Sequence, residues 1–347
     1  MKVWNLKRFE LPQGWVEIFC VIAILMAPGC TSAPRASAPS LVGQPPGAAP
    51  SSAPHSIGSG PEFVGPPAPY GPMPTTPQEV YGPEPILLRP AVLVLGPGWA
   101  RGFAHAGVLQ ALDEARIPIA GIIATEMGSI MAVLYGTSHS LNDFQWALLR
   151  LKPELFSREG KLLSGLFKGP SDGHDLEDAL DQILGTKELG DSRFPIKLLM
   201  QTAGSKGELQ LLETGKASAA VRASVAVPGL MAPGTWRDHE YASAGGQRPF
   251  PVSEAKLIAP FPVIVVDVLD RPGAESAKLS KNPEARAYFK AAARASLQLG
   301  DEAELVIRPD LKGFDYLDFK RRTDIAFRGK KAVLEHLDQI KHLVGMP

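Results

Sequence analysis

The stretch Leu95–Leu109, LGPGWARGFAHAGVL, decides how the rest of the chain is read. The apolar run Ala91 to Leu95 has the length of a buried strand. Gly96, Gly98 and Gly102 break it, and Phe103 to Ala115 then follows helical spacing. A strand that turns through glycines straight into a helix aims backbone amides at one point, and such a point suits an anion. The G-x-G-x-x-x-G spacing, with an acid at Glu126 ending the next apolar run, fits a dinucleotide-binding turn. It fits a helix N-terminus that simply needs glycine equally well, so the stretch alone leaves the chemistry open.

Outward from this turn, short apolar runs alternate with amphipathic stretches. The runs Ala91–Leu95, Ile119–Ala124, Ile196–Ala203, Glu208–Leu212, Val263–Val268 and Glu304–Ile307 read as strands. Between and after them, Phe103–Ala115, Met127–Tyr135, Leu141–Leu151, Leu176–Leu184, Ala217–Val225, Glu284–Leu297 and Asp324–Leu343 read as helices. Strand followed by helix, repeated, predicts an α/β sandwich with a largely parallel sheet. The 347 residues carry 36 Lys or Arg against 36 Asp or Glu, and this balance speaks against a nucleic-acid partner. With 45% hydrophobic residues the chain has material for a sizeable core, and its two cysteines, Cys20 and Cys30, exclude a disulfide scaffold.

The N-terminus reads as an export signal. Lys2, Lys7 and Arg8 precede an apolar run from Ile18 to Ala27, too short to span a bilayer, and Pro28-Gly29-Cys30 follows. Small residues before a cysteine resemble a bacterial lipobox, although Ala27 and Pro28 depart from the usual residues. The resemblance implies cleavage after residue 29 and lipidation of Cys30, with membrane attachment through acyl chains. Thr31, rather than an aspartate, follows the cysteine. By the sorting rule of such lipoproteins this implies a cell-envelope location, at the outer membrane if the source is Gram-negative. From Thr31 to Pro90 there are 16 of the chain's 33 prolines among Ala, Ser and Gly, a composition that cannot bury a core. The expected organisation is therefore a signal over 1–29, a tether over 30–85 and one folded domain over 86–347.

Further ordered motifs follow the glycine turn: ALDEARIPIAGIIATEMGSI from Ala111, VRASVAVPGLMAP over Val221–Pro233, and YASAGGQRPFPV over Tyr241–Val252. VIVVDV, LVIRPDL and YLDFKRRTDIAFRGKKA come after them. Together with the opening stretch these resemble the patatin-like phospholipases. The resemblance implies a three-layer α/β/α sandwich with a mostly parallel central sheet. It also implies acyl-ester hydrolysis by a Ser-Asp dyad without cofactor or metal: a serine in a G-x-S-x-G elbow, an aspartate opening D-G-G or D-G-A, and a glycine-rich oxyanion loop.

This sequence departs from that pattern at each point. The elbow reads Ala124-Thr125-Glu126-Met127-Gly128, with Glu126 at the nucleophile position, and the aspartate position is Ser243 in Ser243-Ala244-Gly245. The loop reads Pro97-Gly98-Trp99 before Arg101 and Gly102. Proline has no amide hydrogen to donate, and Trp99 adds bulk where substrate would lie. The expectation is a catalytically degenerate member that binds a lipid, a fatty acyl ligand or an unidentified protein partner.

The competing reading is an active acyl hydrolase with a non-standard dyad: Ser243 attacking with Glu126 as base, Glu126 itself attacking, or Ser129 substituting. The bland reading of Glu126 is a carboxylate bonded to Ser243 and to a helix N-terminus. His105 reads as a packed helix histidine, and Asp267 and Asp310 as fold-maintaining. Arg101 either holds a lipid phosphate or pairs with a carboxylate. His174, His239, His336 and His342 lack metal-ligand spacing, and Arg321, Arg322, Lys330 and Lys331 form a basic C-terminal face.

Overall fold

The computed structural model describes residues 87–156, 170–204, 207–271, 278–299 and 302–347, with residues 65 and 276 as isolated positions. The signal, Cys30 and, apart from Gly65, the tether lie outside the described residues. Every element below belongs to the unit 79–347.

Among the described residues eight strands form one sheet: β1 (Ala91–Leu95), β2 (Ile119–Ala124), β3 (Ile196–Thr202), β4 (Leu209–Leu212), β5 (Gly234–Trp236), β6 (His239–Ser243), β7 (Val263–Val266) and β8 (Leu305–Ile307). The pairs β1–β2, β1–β7, β2–β3 and β7–β8 are parallel, whereas β4 and β6 run antiparallel to β3 and β5 antiparallel to β6. The order β3-β2-β1-β7-β8 puts β1 at the centre. Its AVLVL sequence is apolar at every position and wholly buried, as a parallel strand covered on both faces requires.

The helices are α1 (Ala104–Glu114), α2 (Met127–Gly136), α3 (Leu141–Arg150), α4 (His174–Leu184), α5 (Ala217–Ser224), α6 (Val252–Ala255), α7 (Pro283–Ser296), α8 (Arg322–Glu335) and α9 (Leu337–Leu343). Local chemistry sets several of their ends. Ser140 Oγ accepts from the Asp143 amide at 3.2 Å to start α3. Asn282 caps α7 through the Ala285 amide at 3.0 Å, with Pro283 in the first turn.

The α/β class and the parallel centre agree with the sequence reading. The hairpin β5–β6 did not register as strand, because its GTW and HEYAS segments carry no apolar run of the kind that marks the equally short β7 and β8. The single helix expected over Asp324–Leu343 is two, α8 and α9, broken at His336. The basic C-terminal face is largely paired: Lys330 reaches Glu114 at 2.7 Å, Lys331 reaches Glu335 at 3.6 Å and Arg321 reaches Asp324 at 3.8 Å. Asp267 and Asp310 have local roles. Asp267 accepts from Ser296 and Arg308, and Asp310 from the Lys312 amide.

Helices α1 and α8 cross at two glycines. A Cβ at Gly107 would lie 1.8 Å from the Ala326 carbonyl oxygen, and one at Gly329 would lie 1.9 Å from that of Ala104. Neither backbone atom can move aside like a flexible side chain. Gly329→Ala is expected to cost about 2–3 kcal/mol, as overpacking does, read as a lower midpoint in urea unfolding with an unchanged slope.

Candidate functional site

The site is built where β1 and β2 end side by side. Leu95 is in register with Ala124, and the Thr125 amide donates to the Leu95 carbonyl at 3.1 Å, so the glycine turn and the elbow leave the sheet together. Gly128 makes this approach feasible, since a Cβ there would meet the Leu95 carbonyl oxygen at 2.3 Å. Glu126 holds the turn between β2 and α2 at φ 51°, ψ −123°, a left-handed geometry that costs a non-glycine residue on the order of 1–3 kcal/mol. Trp99 is likewise at positive φ, 45°. Two such residues facing each other are the backbone form of a strand-to-helix elbow and its amide loop.

Glu126 is completely buried, and its carboxylate lies against that loop. One oxygen accepts from the Gly98 amide, and both lie 3.0 Å from the Trp99 amide. The Glu126 side chain makes no capping bond to the first turn of α2. Pro97 contributes no donor, yet two loop amides still converge on one group, so the loop is less damaged than its sequence implies. Its donors are occupied by the chain's own carboxylate. Burial pushes the Glu126 pKa up to about 7, against the pull of the amides of Trp99, Gly98 and Met127.

Ser243 ends β6, and its backbone pairs with Met200 of β3, two residues beyond the Leu198–Ala124 pair. This register brings it to the same end of the sheet. Its hydroxyl is bonded to Tyr288 Oη at 2.6 Å and accepts from the Gly245 amide at 3.2 Å, with no bond to Glu126. The expected Glu126–Ser243 bond is therefore corrected: the amides satisfy the carboxylate, and α7 supplies a tyrosine for the serine. Tyr288 is buried with its phenol raised well above the usual range by desolvation and by the nearby Glu126 charge, so it cannot act as a base toward Ser243 at neutral pH. A groove of about 620 Å³ runs past Ser243 and Tyr288, with Gln201, Gln247 and Glu284 in its wall.

The remaining candidates are placed as follows. Trp99 turns its indole into an aromatic cluster, edge-on to Phe156 and Phe319 at 5.9 and 5.8 Å. Arg101 pairs with Asp270 at 2.6 Å and donates to the carbonyls of Val268, Leu311 and Phe314, and at 4% exposure it is closed to a phosphate. Of its two readings, the ion pair holds. Ser129 Oγ bonds Ser224 Oγ at 2.7 Å, tying α2 to α5, and does not stand in for a nucleophile. Thr125 donates to the Pro249 carbonyl at 3.0 Å, Ala124 is buried at the end of β2, and Met127 packs on Gly102. His105 is a packed helix histidine. Its Nε2 donates to the Gly96 carbonyl at 2.8 Å, and burial lowers its pKa to about 4.

The dinucleotide reading fails at this point, because the amides it needs are taken and Glu126 cannot reach a ribose from a sealed position. Among the described residues no group of His, Cys, Asp and Glu is placed to hold a metal, and no helix is long and apolar enough to cross a membrane. Sequence reasoning missed Tyr288 and Asp270. Each meets its partner only through tertiary contact, and no local pattern marks either.

Residues 93–256 match the family model described as patatin-like phospholipase. Over that stretch, just under half of its length, the sequence is similar to that family. This patatin-like chain is 28% identical over 284 residues to the lysophospholipase NTE1 of Coccidioides immitis, covering 74% of itself and 18% of that protein. Over 169 residues it is 31% identical to an uncharacterized NTE family protein of Mycobacterium tuberculosis, covering 46% of itself and 44% of the other. It thus spans less than half the length of these two relatives. Among solved structures, VipD from Legionella pneumophila aligns with 72% of this chain and 67% of its own at 12% identity and a TM-score of 0.42; the fold assignment rests on the strand order above.

The buried carboxylate gives stability a signed pH dependence. The folded pKa of Glu126, about 7, lies above the ordinary 4.5. The folded state therefore holds the proton more tightly, and this contribution is lost as pH rises between those values. Wild type is expected to lose on the order of 3 kcal/mol relative to Glu126→Gln from pH 4.5 to pH 7, measured by urea unfolding of both proteins across that range.

Proposed function

We propose that this patatin-like domain is a binding module that no longer hydrolyses esters. The observation that carries this reading is the Glu126 carboxylate seated on the Gly98 and Trp99 amides. Acyl transfer needs those donors free for the oxygen of a tetrahedral intermediate, and the buried carboxyl group fills that position and, when ionised, repels the charge that would develop there. The nucleophile position holds no hydroxyl, and the hydroxyl at Ser243 has only a neutral phenol beside it. The ligand class is a lipid or fatty acyl chain, since the relatives named above include a lysophospholipase and the groove beside Ser243 and Tyr288 is large enough for part of a chain. A protein partner recognised by the same face is the other form of this reading.

In the same proposal the protein is a lipoprotein. Cys30, acylated after removal of 1–29, anchors it in a bacterial envelope, at the outer membrane if the source is Gram-negative, and the proline-rich segment holds the domain off the surface. Cys30→Ser is expected to abolish incorporation of labelled palmitate and to shift the protein from the detergent phase to the aqueous phase on Triton X-114 partition.

Fatty-acid release from phospholipids and short-chain p-nitrophenyl esters tests the catalytic half. Wild type, Glu126→Ala and Ser243→Ala are expected at background alike. The Glu126→Ser/Ser243→Asp pair frees the amides, restores a hydroxyl and a carboxylate, and is expected above background. Loss of a nucleophile costs up to about a million-fold, so even a poorly restored dyad is readable. Wild-type turnover that Glu126→Ala abolishes overturns the proposal in favour of an unorthodox hydrolase.

A further inference from the structure

A second groove, of about 430 Å³, lies outside the occupied amide loop, between the segment after β6 and the C-terminal end of α7. Pro249 and Phe250 supply buried apolar lining, and the charges fall on two walls. One wall carries Arg248 and Lys256. Arg248 is steadied by Glu254 at 2.9 Å, and its Nε is buried without a hydrogen-bond partner. Lys256 has no ion-pair or hydrogen-bond partner for its side chain among the described residues.

The other wall carries Gln298 and Glu302, just past the end of α7. The Glu302 carboxylate is likewise unpaired among the described residues. The last carbonyls of a 14-residue helix add negative potential on that side. A simple anion would be drawn to the first wall and repelled by the second, and a simple cation the reverse. A ligand carrying both charges satisfies both walls.

We propose that this groove binds a small zwitterion, with its anionic group on Arg248 and Lys256 and an ammonium bearing hydrogens on Glu302. The same chemistry occurs in a free solute and in the headgroup of an aminophospholipid. The apolar lining beneath accommodates the linker of either. The groove shares Gln247 with the Ser243–Tyr288 groove but includes neither Ser243 nor Tyr288, so the inference stands whether or not the domain hydrolyses esters.

Calorimetry on the full chain with phosphoethanolamine, inorganic phosphate and ethanolamine tests it. Cosedimentation of the Cys30→Ser chain with phosphatidylethanolamine or phosphatidylglycerol vesicles removes any contribution from an acyl anchor. Phosphoethanolamine is expected to bind saturably and more tightly than either half alone. Lys256→Ala and Glu302→Gln are each expected to weaken it by about fivefold, the upper range for one partly exposed ion pair. Both positions are exposed, so the melting temperature stays unchanged. Variant-sensitive binding to phosphatidylethanolamine vesicles without binding of the free solute assigns the ligand to a lipid surface and supports the proposal. Three results overturn it: phosphate binding as tightly as phosphoethanolamine, binding that both variants leave unchanged, or no saturable binding of solute or vesicle.

Discussion

The bond between the Glu126 carboxylate and the amides of Gly98 and Trp99 holds the top of the sheet together. It joins the turn after β1 to the elbow after β2, the two central strands, and lets two residues persist at positive φ in a buried turn. An unpaired carboxylate sealed at this depth would cost several kcal/mol. The donors, pointing inward from a glycine turn, would be equally costly without an acceptor. Each half satisfies the other, so the carboxylate and the loop amides are part of the structure that supports them.

That exchange gives the elbow and the amide loop a structural role of their own. The elbow keeps its left-handed residue, the close approach at Gly128 and the converging amides, because the same geometry now serves a buried internal bond. Ser243 keeps its register on β6 because β3 fixes it there, although its hydroxyl has turned to Tyr288. Trp99 and Arg101 are drawn into the fold: one joins an aromatic cluster with Phe156 and Phe319, and the other clamps the carbonyls of Val268, Leu311 and Phe314. Both residues look like ligand contacts when the loop is read as a string. In place, they close the region off from solvent.

Under the proposed binding role, the surfaces open to a ligand are the grooves beside the covered elbow. Glu126 lines neither groove, and both grooves are bordered by the segment that follows β6. That segment also touches the elbow directly, through Thr125 to the Pro249 carbonyl and through Phe250 packed on Gly96. A ligand on the outer side of this segment therefore rests on the same residues that brace the occupied loop from behind.

Much of the architecture was legible in the chain itself, because strand and helix periods are local. The apolar run Ala91–Leu95, the glycine turn and the repeated strand–helix alternation sufficed for an α/β class with a parallel centre, and the ordered motifs drew attention to Glu126 and Ser243. The hairpin β5–β6 was not legible, since GTW and HEYAS carry no apolar run, nor was the break at His336, where no Gly or Pro interrupts the helical pattern. Nor was the destination of each polar group. A sequence states that a carboxylate replaces a serine. Only the packing of β1 against β2 decides that it is buried, that its charge is met by the Gly98 and Trp99 amides rather than by Ser243, and that Asp270 rather than a ligand meets Arg101. Burial and hydrogen-bond partners are set by contacts across some 28 to 170 residues, and these exist only once the chain has folded.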